Sequence, residues 1–246
     1  MPRPVAYVSL DRALSKLGLA SRAVAGSLIR EGRVKVGGVV ITDPAHAVVP
    51  ERARIAIDNA MAPPPTQAKR LIAFHKPRGT VTTRRDPEGR KTVFDVLGSA
   101  GDGLVAVGRL DFASTGLLLF TNDTQLANRL TDPDNAVVRR YVVTVRGLVT
   151  NDQARAIERG VIVKIGRAAE TVRASRVQIQ KRSSRETHLI VELTEGKNRE
   201  IRRLFAATGH EVTRLLRVSF GGIELGTLQP GRWREESITE SPARVS

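Results

Sequence analysis

The chain has 246 residues, of which 40 are Lys or Arg and 25 are Asp or Glu, so its formal charge is +15. Its 41% hydrophobic content and 21 glycines are typical of a globular protein with one sizeable core and a small second domain. Because the chain has no cysteine, disulfides, thiolate metal sites and cysteine nucleophiles are excluded, and a cytoplasmic location is expected. No apolar run approaches the roughly 18 residues of a membrane span, and we expect no signal peptide.

Arginine dominates the basic residues, with 32 Arg against 8 Lys. Its planar guanidinium suits bidentate contacts to phosphate and stacking on bases. Arginine-favouring codon usage is an alternative explanation, but the net positive charge needs a counter-ion in either case. We therefore expect a polyanionic partner, and nucleic acid is the favoured class.

Residues 1–60 are predicted to begin with two short helices. Ser9 is a suitable N-cap for a first helix that stops at Gly18. Ser21 is a suitable N-cap for a second helix that ends at Gly32.

A hairpin and a basic surface complete this first unit. Two Val-rich strands, at 33–36 and 39–42, flank Gly37 and Gly38, which can adopt the positive φ angles of a two-residue turn. A small module with a basic face can bind structured RNA by shape and phosphate. The bases that cluster around the helix pair and the first strand are Arg12, Lys16, Arg22, Arg30, Arg33 and Lys35.

The chain is predicted to divide at a proline-rich stretch. Residues 61–69 contain three consecutive prolines among small polar residues, a composition typical of a semi-rigid linker. They separate a domain at 1–60 from a larger domain at 70–236, and a polar, frayed tail is expected at 237–246.

The larger domain is predicted to have an α+β fold. Strand and helix signals alternate there without regular β-α-β order, which favours a mixed or antiparallel sheet with flanking helices. The predicted strands are Leu71–Phe74, Val81–Thr83, Leu104–Val107, Gly116–Thr121, Tyr141–Val145, Val172–Ile179 and Thr187–Leu193.

The stretch at 108–123, GRLDFASTGLLLFTND, carries the most informative carboxylate. Asp111 is predicted to lie in a turn between two apolar strands, with Arg109 two residues before it. Strand ends present reactive groups to clefts, and a nearby cation favours an ionised carboxylate. From spacing alone, a turn-capping aspartate that accepts backbone N–H bonds is the more common alternative.

A second segment, at 195–205, is predicted to be a strand end followed by a helix. At about 100° per residue, its apolar side chains form a buried stripe, and Arg202 lies on the flank of that stripe. Arg202 can therefore reach inward, or it can cover the edge of the core as an isolated helix arginine commonly does. Arg199 and Arg203 point away from the stripe, towards phosphate or solvent, and Lys197 precedes them.

Two further segments combine cations with potential binding groups. Tyr141 follows Arg139 and Arg140 at the start of a strand; a core position is the default, and stacking on an extruded base is the alternative. Lys76 and Arg78 belong to a Pro-Gly turn whose simplest role is an exposed hairpin connection.

No metal or nucleotide cofactor is implied. The four histidines show no metal-ligand spacing, and the chain has neither a GxxxxGK[ST] nor a GxGxxG run.

These motifs resemble the RsuA/RluB-type ribosomal RNA pseudouridine synthases along nearly the whole chain. LDRALSKLGLASR and LIREGRVKVGG resemble an S4 RNA-binding domain. FHKPRG, VGRLDFASTGLLLFTND, RRYVVTV and EGKNREIRRLF resemble successive motifs of the catalytic domain, and the long GRLD stretch is highly specific. DPEGRKTVFD, at 86–95, is more similar to the RluB type, which acts on large-subunit rRNA, than to the RsuA type, which acts on small-subunit rRNA.

The resemblance implies an isomerase that converts uridine to pseudouridine in ribosomal RNA or pre-ribosomal particles. We expect it to need no cofactor, and a monomer is the simplest expectation. The resemblance also implies that Asp111 is the catalytic aspartate, that Tyr141 lies against the target base, and that Arg202 lies beside the aspartate. The basic residues identified above form the expected RNA-binding set, which is Arg109, Arg12, Lys16, Arg22, Arg30, Arg33, Lys35, Lys76, Arg139, Arg140, Lys197, Arg199 and Arg203. A non-catalytic rRNA-binding assembly factor and a hydrolytic nucleosidase are the alternatives, although a glycosidase would need a second positioned carboxylate.

Overall fold

The structure is a computed structural model that describes residues 7–17, 19–20, 22–50, 52–58, 60–61, 68–165 and 168–237. The chain forms two compact units. The first comprises Met1–Lys69 with Asn122–Gln125, and the second comprises Arg70–Thr121 with Leu126–Ser246. Most of the predicted linker, at 62–67, and nearly all of the predicted tail lie outside the described residues.

The first unit pairs two helices with short antiparallel strands. Its apolar core contains Leu10, Leu14 and Ile29 from the helices, together with Val34 and Ile55 from the strands. The elements are β1 Val8–Ser9, α1 Leu10–Lys16, α2 Arg22–Arg30, β2 Val34–Val36, β3 Val39–Ile41, β4 Ala47–Val48, β5 Ile55–Ile57 and β6 Ala60–Met61. Strands β2, β3, β5 and β6 form one sheet in the order β3-β2-β5-β6, and β1 pairs with β4.

The predicted hairpin turn is present in the first unit, whereas the predicted cap of α1 has the expected position without the expected hydrogen bond. Ser9 occupies the N-cap position of α1, but its hydroxyl donates to the Asp11 carboxylate and caps no helix N–H. Gly37 and Gly38 have φ angles of 59° and 90°, the positive values that the two-residue turn between β2 and β3 requires. The predicted stop at Gly18 and cap at Ser21 lie outside the described residues.

The second unit is built on a nine-stranded sheet with helices packed against it. Its elements are β7 Leu71–Lys76, α3 Val93–Leu97, β8 Val105–Val107, β9 Thr115–Thr121, α4 Thr124–Thr131, β10 Arg139–Arg146, α5 Asn151–Arg159, β11 Val161–Ile165, β12 Ala168–Val172, β13 Arg176–Arg182, β14 Glu186–Leu193, α6 Glu200–Ala207, β15 Val212–Phe220, β16 Ile223–Glu224 and β17 Trp233–Glu235. Short 3-10 helices lie at Gly98–Gly101 and Pro133–Asn135. Helix α4 begins within Asn122–Gln125, which belong to the first unit.

The predicted α+β fold with a mixed sheet is confirmed. The main path of the sheet runs β13-β14-β10-β15-β9-β7-β17, with β8 on β9 and β16 on β15, while β11 and β12 pair separately. Neighbours pair antiparallel except β15 with β9, which pair parallel.

Two predicted strands differ from the structure. The segment Val81–Thr83 contributes only a single bridge, from Val81 to Thr92, because it serves as a loop that contacts the turn around Leu110. The predicted strand Val172–Ile179 is broken between β12 and β13, where Ala174 donates its N–H to the Ile157 carbonyl of α5. Such a long-range contact leaves no local signal in the sequence.

The main core lies against the sheet and holds the apolar face of α6. Ile201, Leu204 and Phe205 are buried in it, as the helical stripe predicts, and Tyr141 is in the same cluster. Among the described residues, no helix combines the length and apolar character needed to cross a membrane.

Candidate active site

Asp111 lies in the tight connection between β8 and β9. The Ser114 N–H donates to the Asp111 carbonyl at 3.0 Å, which closes the turn through the backbone. The carboxylate receives no hydrogen bond from any described residue, and its side chain is 28% exposed. The turn-capping alternative is therefore not what the structure has, because the backbone closes the turn and the carboxylate is left partly open to solvent.

The residues on either side of Asp111 are pinned to the segment at 79–82. The Thr82 hydroxyl donates to the Leu110 carbonyl at 2.8 Å and accepts the Leu110 N–H at 3.3 Å. The Gly79 N–H donates to the Phe112 carbonyl at 2.9 Å. The backbone that carries the carboxylate is consequently held from both sides, as a reactive group needs.

Lys76 places a buried ammonium beneath this turn. The residue is fully buried at the end of β7, and its Nζ donates to the Ser114 carbonyl at 2.9 Å and to the Pro77 carbonyl at 3.1 Å. Burial lowers the pKa of Lys76 to about 8, and attraction to the Asp111 carboxylate opposes that change. Lys76 thus contributes a positive charge on the protein side of the carboxylate.

Arg199 brings a second cation to Asp111 from the N-terminus of α6. Its guanidinium Nη1 lies 4.0 Å from Asp111 Oδ2. Its backbone has φ 49° and ψ 31°, a left-handed conformation that is unfavourable for a residue other than glycine. Just beyond it, the buried Glu200 carboxylate accepts the Lys197 N–H at 3.0 Å, which fixes the turn at the start of the helix.

Arg202 lies on α6 near the same carboxylate. It is partly buried, and its Nη1 donates to the Val212 carbonyl at 2.7 Å. Burial, followed by repulsion from Arg199, lowers the pKa of the Arg202 guanidinium, while Asp111 acts in the opposite direction and Arg78 adds repulsion. Its Nε is buried and has no hydrogen-bond partner among the described residues. Arg202 is therefore repelled by two other arginines, Arg199 and Arg78, and attracted by the Asp111 carboxylate.

A glycine allows the parallel strand pair that supports this turn. Gly116 has a φ of 108°, and a Cβ built there would lie 2.3 Å from the Arg217 carbonyl oxygen on β15. No other residue permits so close a backbone approach. Arg217 is itself buried and donates from Nε to the Leu117 carbonyl at 2.7 Å, which binds β15 to β9 immediately after the turn.

Tyr141 is 7% exposed and lies in the main core cluster, which also contains Leu110. Its β10 position is opposite Arg217 on β15 and Val191 on β14. The structure thus places the ring in the same apolar cluster as the residue that precedes Asp111.

Two predicted RNA-binding residues are corrected. Lys76 is buried, and so is Arg139, whose Nη1 donates to the carbonyls of Val137 and Thr194 at 3.0 Å each. Its guanidinium also stacks over the Phe220 ring at 4.8 Å. Neither side chain reaches a surface where RNA could bind, because each binds backbone carbonyls in the interior. The exposed hairpin connection expected around Lys76 is likewise wrong for Lys76.

Among the other predicted RNA-binding residues of this unit, Arg109 lies on the surface, while Arg140, Lys197 and Arg203 each lie near a carboxylate. Arg109 is exposed. Arg140 pairs with Glu192 at 2.9 Å, and Lys197 pairs with Glu195 at 2.9 Å. Arg203, expected to face away from the core, is partly buried and lies 3.5 Å from Glu170.

In the first unit the predicted bases remain on the surface. Arg12 and Arg30 are exposed, and Arg22 pairs with Asp11 at 2.9 Å. Arg33 pairs with Asp58 at 2.6 Å, and Lys35 is partly exposed. Lys16 belongs to α1, and its side chain lies outside what the structure describes.

The sequence patterns missed the parts played by Thr82, Lys76 and Arg199 around Asp111. The usable signal for Lys76 was its place just beyond the apolar run Leu71–Phe74, since β7 is buried along its whole length and Lys76 still pairs with Gly116 on β9. Within the described residues, no group of His, Asp and Glu side chains is arranged to hold a metal ion.

Comparisons with known proteins place this geometry in a family. Residues 70–207 match the model of the RNA pseudouridylate synthase family, and residues 8–52 match the S4 domain. The ribosomal large subunit pseudouridine synthase B of Salmonella typhimurium is 40% identical over 238 residues, covering 94% of this chain and 80% of the relative. An uncharacterized RNA pseudouridine synthase of Aquifex aeolicus is 36% identical, covering 93% of this chain and 90% of the relative.

A solved structure supports the fold. A crystal structure of a pseudouridylate synthase superposes with a TM-score of 0.66 at 24% identity, covering 95% of this chain and 97% of that chain. Because the family model matches the unit that carries Asp111 and the relatives match nearly the whole chain, the chain belongs to the RNA pseudouridylate synthases.

Proposed function

We propose that this enzyme isomerises a uridine of large-subunit ribosomal RNA to pseudouridine, with Asp111 as the catalytic residue. The observation that carries the proposal is the partly exposed Asp111 carboxylate, held by its backbone and lying 4.0 Å from Arg199. The name of the Salmonella typhimurium relative supports large-subunit rRNA as the substrate.

The reaction breaks the N1–C1′ glycosidic bond of uridine and forms a C5–C1′ bond in its place. C5 loses its proton and N1 gains one, so atoms balance without an oxidant or a second substrate. The base must leave its stack and turn over while it stays bound, which requires a pocket that excludes water. Asp111 is the carboxylate that meets this extruded nucleotide.

The neighbouring side chains have distinct proposed roles. Arg202 interacts electrostatically with Asp111 and would supply positive charge near the carboxylate, while Arg199 and Arg109 would attract the phosphate backbone of the RNA. Tyr141 would contact the target base, as the family resemblance implies, with the small part of its ring that the core leaves open, since the side chain is 7% exposed.

The first unit is proposed to bind RNA without taking part in the reaction. Residues 1–60 would provide the RNA-binding domain and residues 70–236 the catalytic domain of a monomer. The exposed Arg12 and Arg30 support this assignment, because solvent-facing guanidinium groups can meet phosphate directly. A ribosomal substrate places the reaction in the compartment where ribosomes are assembled.

The proposal is tested by tritium release from ribosomal RNA transcripts labelled at C5 of uridine. Release is expected from the large-subunit transcript and not from the small-subunit transcript, because formation of the C5–C1′ bond expels the label. Release from the small-subunit transcript alone would contradict the substrate assignment. If free uracil appears among the products, the reaction is hydrolysis rather than isomerisation.

A further inference from the structure

Phe112 differs from the other phenylalanines of the chain. It follows Asp111 directly and is 49% exposed. Phe74, Phe120, Phe205 and Phe220 are completely buried, and Phe94 packs edge-on against Phe120 in the core. Single exposed apolar residues are common on protein surfaces, so exposure alone assigns no role to Phe112. Its position beside the catalytic carboxylate is what distinguishes it.

The backbone of Phe112 is held in place, and its ring lies next to Gly79. Its carbonyl accepts the Gly79 N–H at 2.9 Å, and a Cβ built on Gly79 would lie 4.0 Å from Phe112 Cζ. The ring thus lies against the bare backbone of Gly79, while Thr82 holds the preceding Leu110. A ring with a fixed backbone loses little conformational entropy when a ligand packs on it.

The charges around this ring favour a polyanion as its partner. Arg78 and Arg109, close to Phe112 and its partner Gly79 in the chain, are exposed, and the exposed Arg199 at the start of α6 lies 4.0 Å from the Asp111 carboxylate. An apolar partner protein would have to desolvate these guanidinium groups, whereas RNA offers phosphates to pair with them and a flat base to cover the ring. The combination of an aromatic face and surrounding cations therefore fits single-stranded or opened RNA.

We infer that Phe112 is a stacking platform for the nucleotide next to the target uridine, an inference that rests on the proposed function. Extrusion of one base leaves the adjacent base with an uncovered face. Phe112 is the immediate neighbour of Asp111 in the chain and its side chain is exposed, so its ring is available to cover that face and shield it from water while the uridine is out of the helix.

Affinity measurements on a large-subunit ribosomal RNA transcript test the stacking interaction. Phe112→Ala is expected to weaken binding about tenfold, within the range for removal of one base–aromatic stack. Phe112→Tyr keeps the ring and is expected to bind like wild type, while Phe112→Leu is expected to bind nearly as weakly as the Ala variant. Val105→Ala, on an exposed side chain paired with the far end of β9, is the control and should leave affinity unchanged. Wild-type affinity in the Ala or the Leu variant would overturn the inference.

A fluorescence experiment reports stacking itself. Trp233 is the only tryptophan of the chain, so the double variant Trp233→Phe, Phe112→Trp has one reporter, at the proposed platform. Addition of the same transcript should quench its fluorescence, whereas Trp233→Phe, Val105→Trp should show no change. Unchanged fluorescence at position 112 with saturating RNA would overturn the inference even if the Ala variant binds weakly.

The two proposals fail in different ways. Absence of tritium release by the wild-type enzyme would reject the reaction, whereas absence of quenching at position 112 during normal tritium release would reject only the platform.

Discussion

At the residue scale, the positive charge around Asp111 comes from cations in different environments. Lys76 is sealed in the protein and bound to two carbonyls, whereas Arg199 is more than half exposed. The buried ammonium can act on the carboxylate and on the turn but cannot meet RNA. Arg199 can interact with the Asp111 carboxylate and can also contact RNA, so its interaction with Asp111 is expected to change when an RNA phosphate binds.

The buried ammonium has a consequence for stability as a function of pH. The pKa of Lys76 falls from 10.5 to about 8 on folding, so between pH 8 and 10.5 the unfolded chain binds more protons than the folded chain. The contribution of Lys76 to the free energy of unfolding then rises with pH across that window, by up to roughly 3 kcal/mol at about 1.4 kcal/mol per pKa unit.

Lys76→Met removes this contribution, and urea unfolding of both proteins at several pH values measures it. Wild type should gain stability relative to the variant as the pH rises from 8 to 10.5. A difference that stays constant across this range would contradict the assignment of a charged, buried amine.

At the element scale, the connection between β8 and β9 is shaped by backbone contacts from distant segments. Thr82 clamps Leu110, Gly79 holds Phe112, and Gly116 allows β9 to meet β15. The catalytic carboxylate is therefore positioned by its main chain, and changes that leave every charged group in place should still impair the reaction.

The clamp on Leu110 can be removed without a change of volume. Thr82→Val deletes both hydrogen bonds and is expected to lower kcat about tenfold with little change in KM, because misplacement of the carboxylate affects chemistry more than binding. Thr82→Ser keeps the hydroxyl and should restore most of the activity. The neighbouring Thr83→Val, which removes only a bond to Arg85, is the control. An equal loss in the Ser and Val variants would argue against positioning through the hydroxyl.

The close approach of β9 and β15 predicts a large cost for a single methyl group. Gly116→Ala would place Cβ 2.3 Å from a backbone oxygen and should lower the free energy of unfolding by about 3 kcal/mol or more. Gly89 also has a positive φ, of 71°, but no heavy atom lies within 4 Å of a Cβ built there, so Gly89→Ala should cost about 1 kcal/mol. Denaturant unfolding measures the loss of unfolding free energy in both variants. Equal losses would contradict the predicted clash between a Cβ at position 116 and the backbone of β15.

At the scale of the whole molecule, the charge of +15 is spread over both compact units. In the first unit, exposed arginines provide potential phosphate contacts on a small apolar core. The second unit combines exposed cations with buried ones, so its surface charge is lower than its composition indicates.

The salt dependence of RNA binding tests the part played by the first unit. Arg12→Gln combined with Arg30→Gln should lower the slope of log affinity against log salt by about 2, since each phosphate contact that is removed lowers it by about 1. Arg155→Gln, on an arginine paired with Asp152 in α5, should leave the slope unchanged. An unchanged slope in the double variant would mean that Arg12 and Arg30 do not contact phosphate.

Local patterns predicted much of this architecture and left out what depends on strand order. The Gly37-Gly38 turn and the apolar stripe of α6 were predictable, because each depends on residues close in sequence. The burial of Arg139 was not, because it follows from the place of β10 between β14 and β15, which no local pattern specifies. For the same reason, motif resemblance indicated Asp111 and Arg202, whereas the clamp by Thr82 became visible only in three dimensions.

The most direct test of the central claim replaces one oxygen by nitrogen. Asp111→Asn is nearly isosteric and leaves the turn intact, because the turn is closed by the backbone. Tritium release from C5-labelled large-subunit rRNA is expected to disappear in this variant while RNA affinity stays close to that of wild type. Equal tritium release by the variant and the wild-type enzyme would contradict the assignment of Asp111 as the catalytic residue.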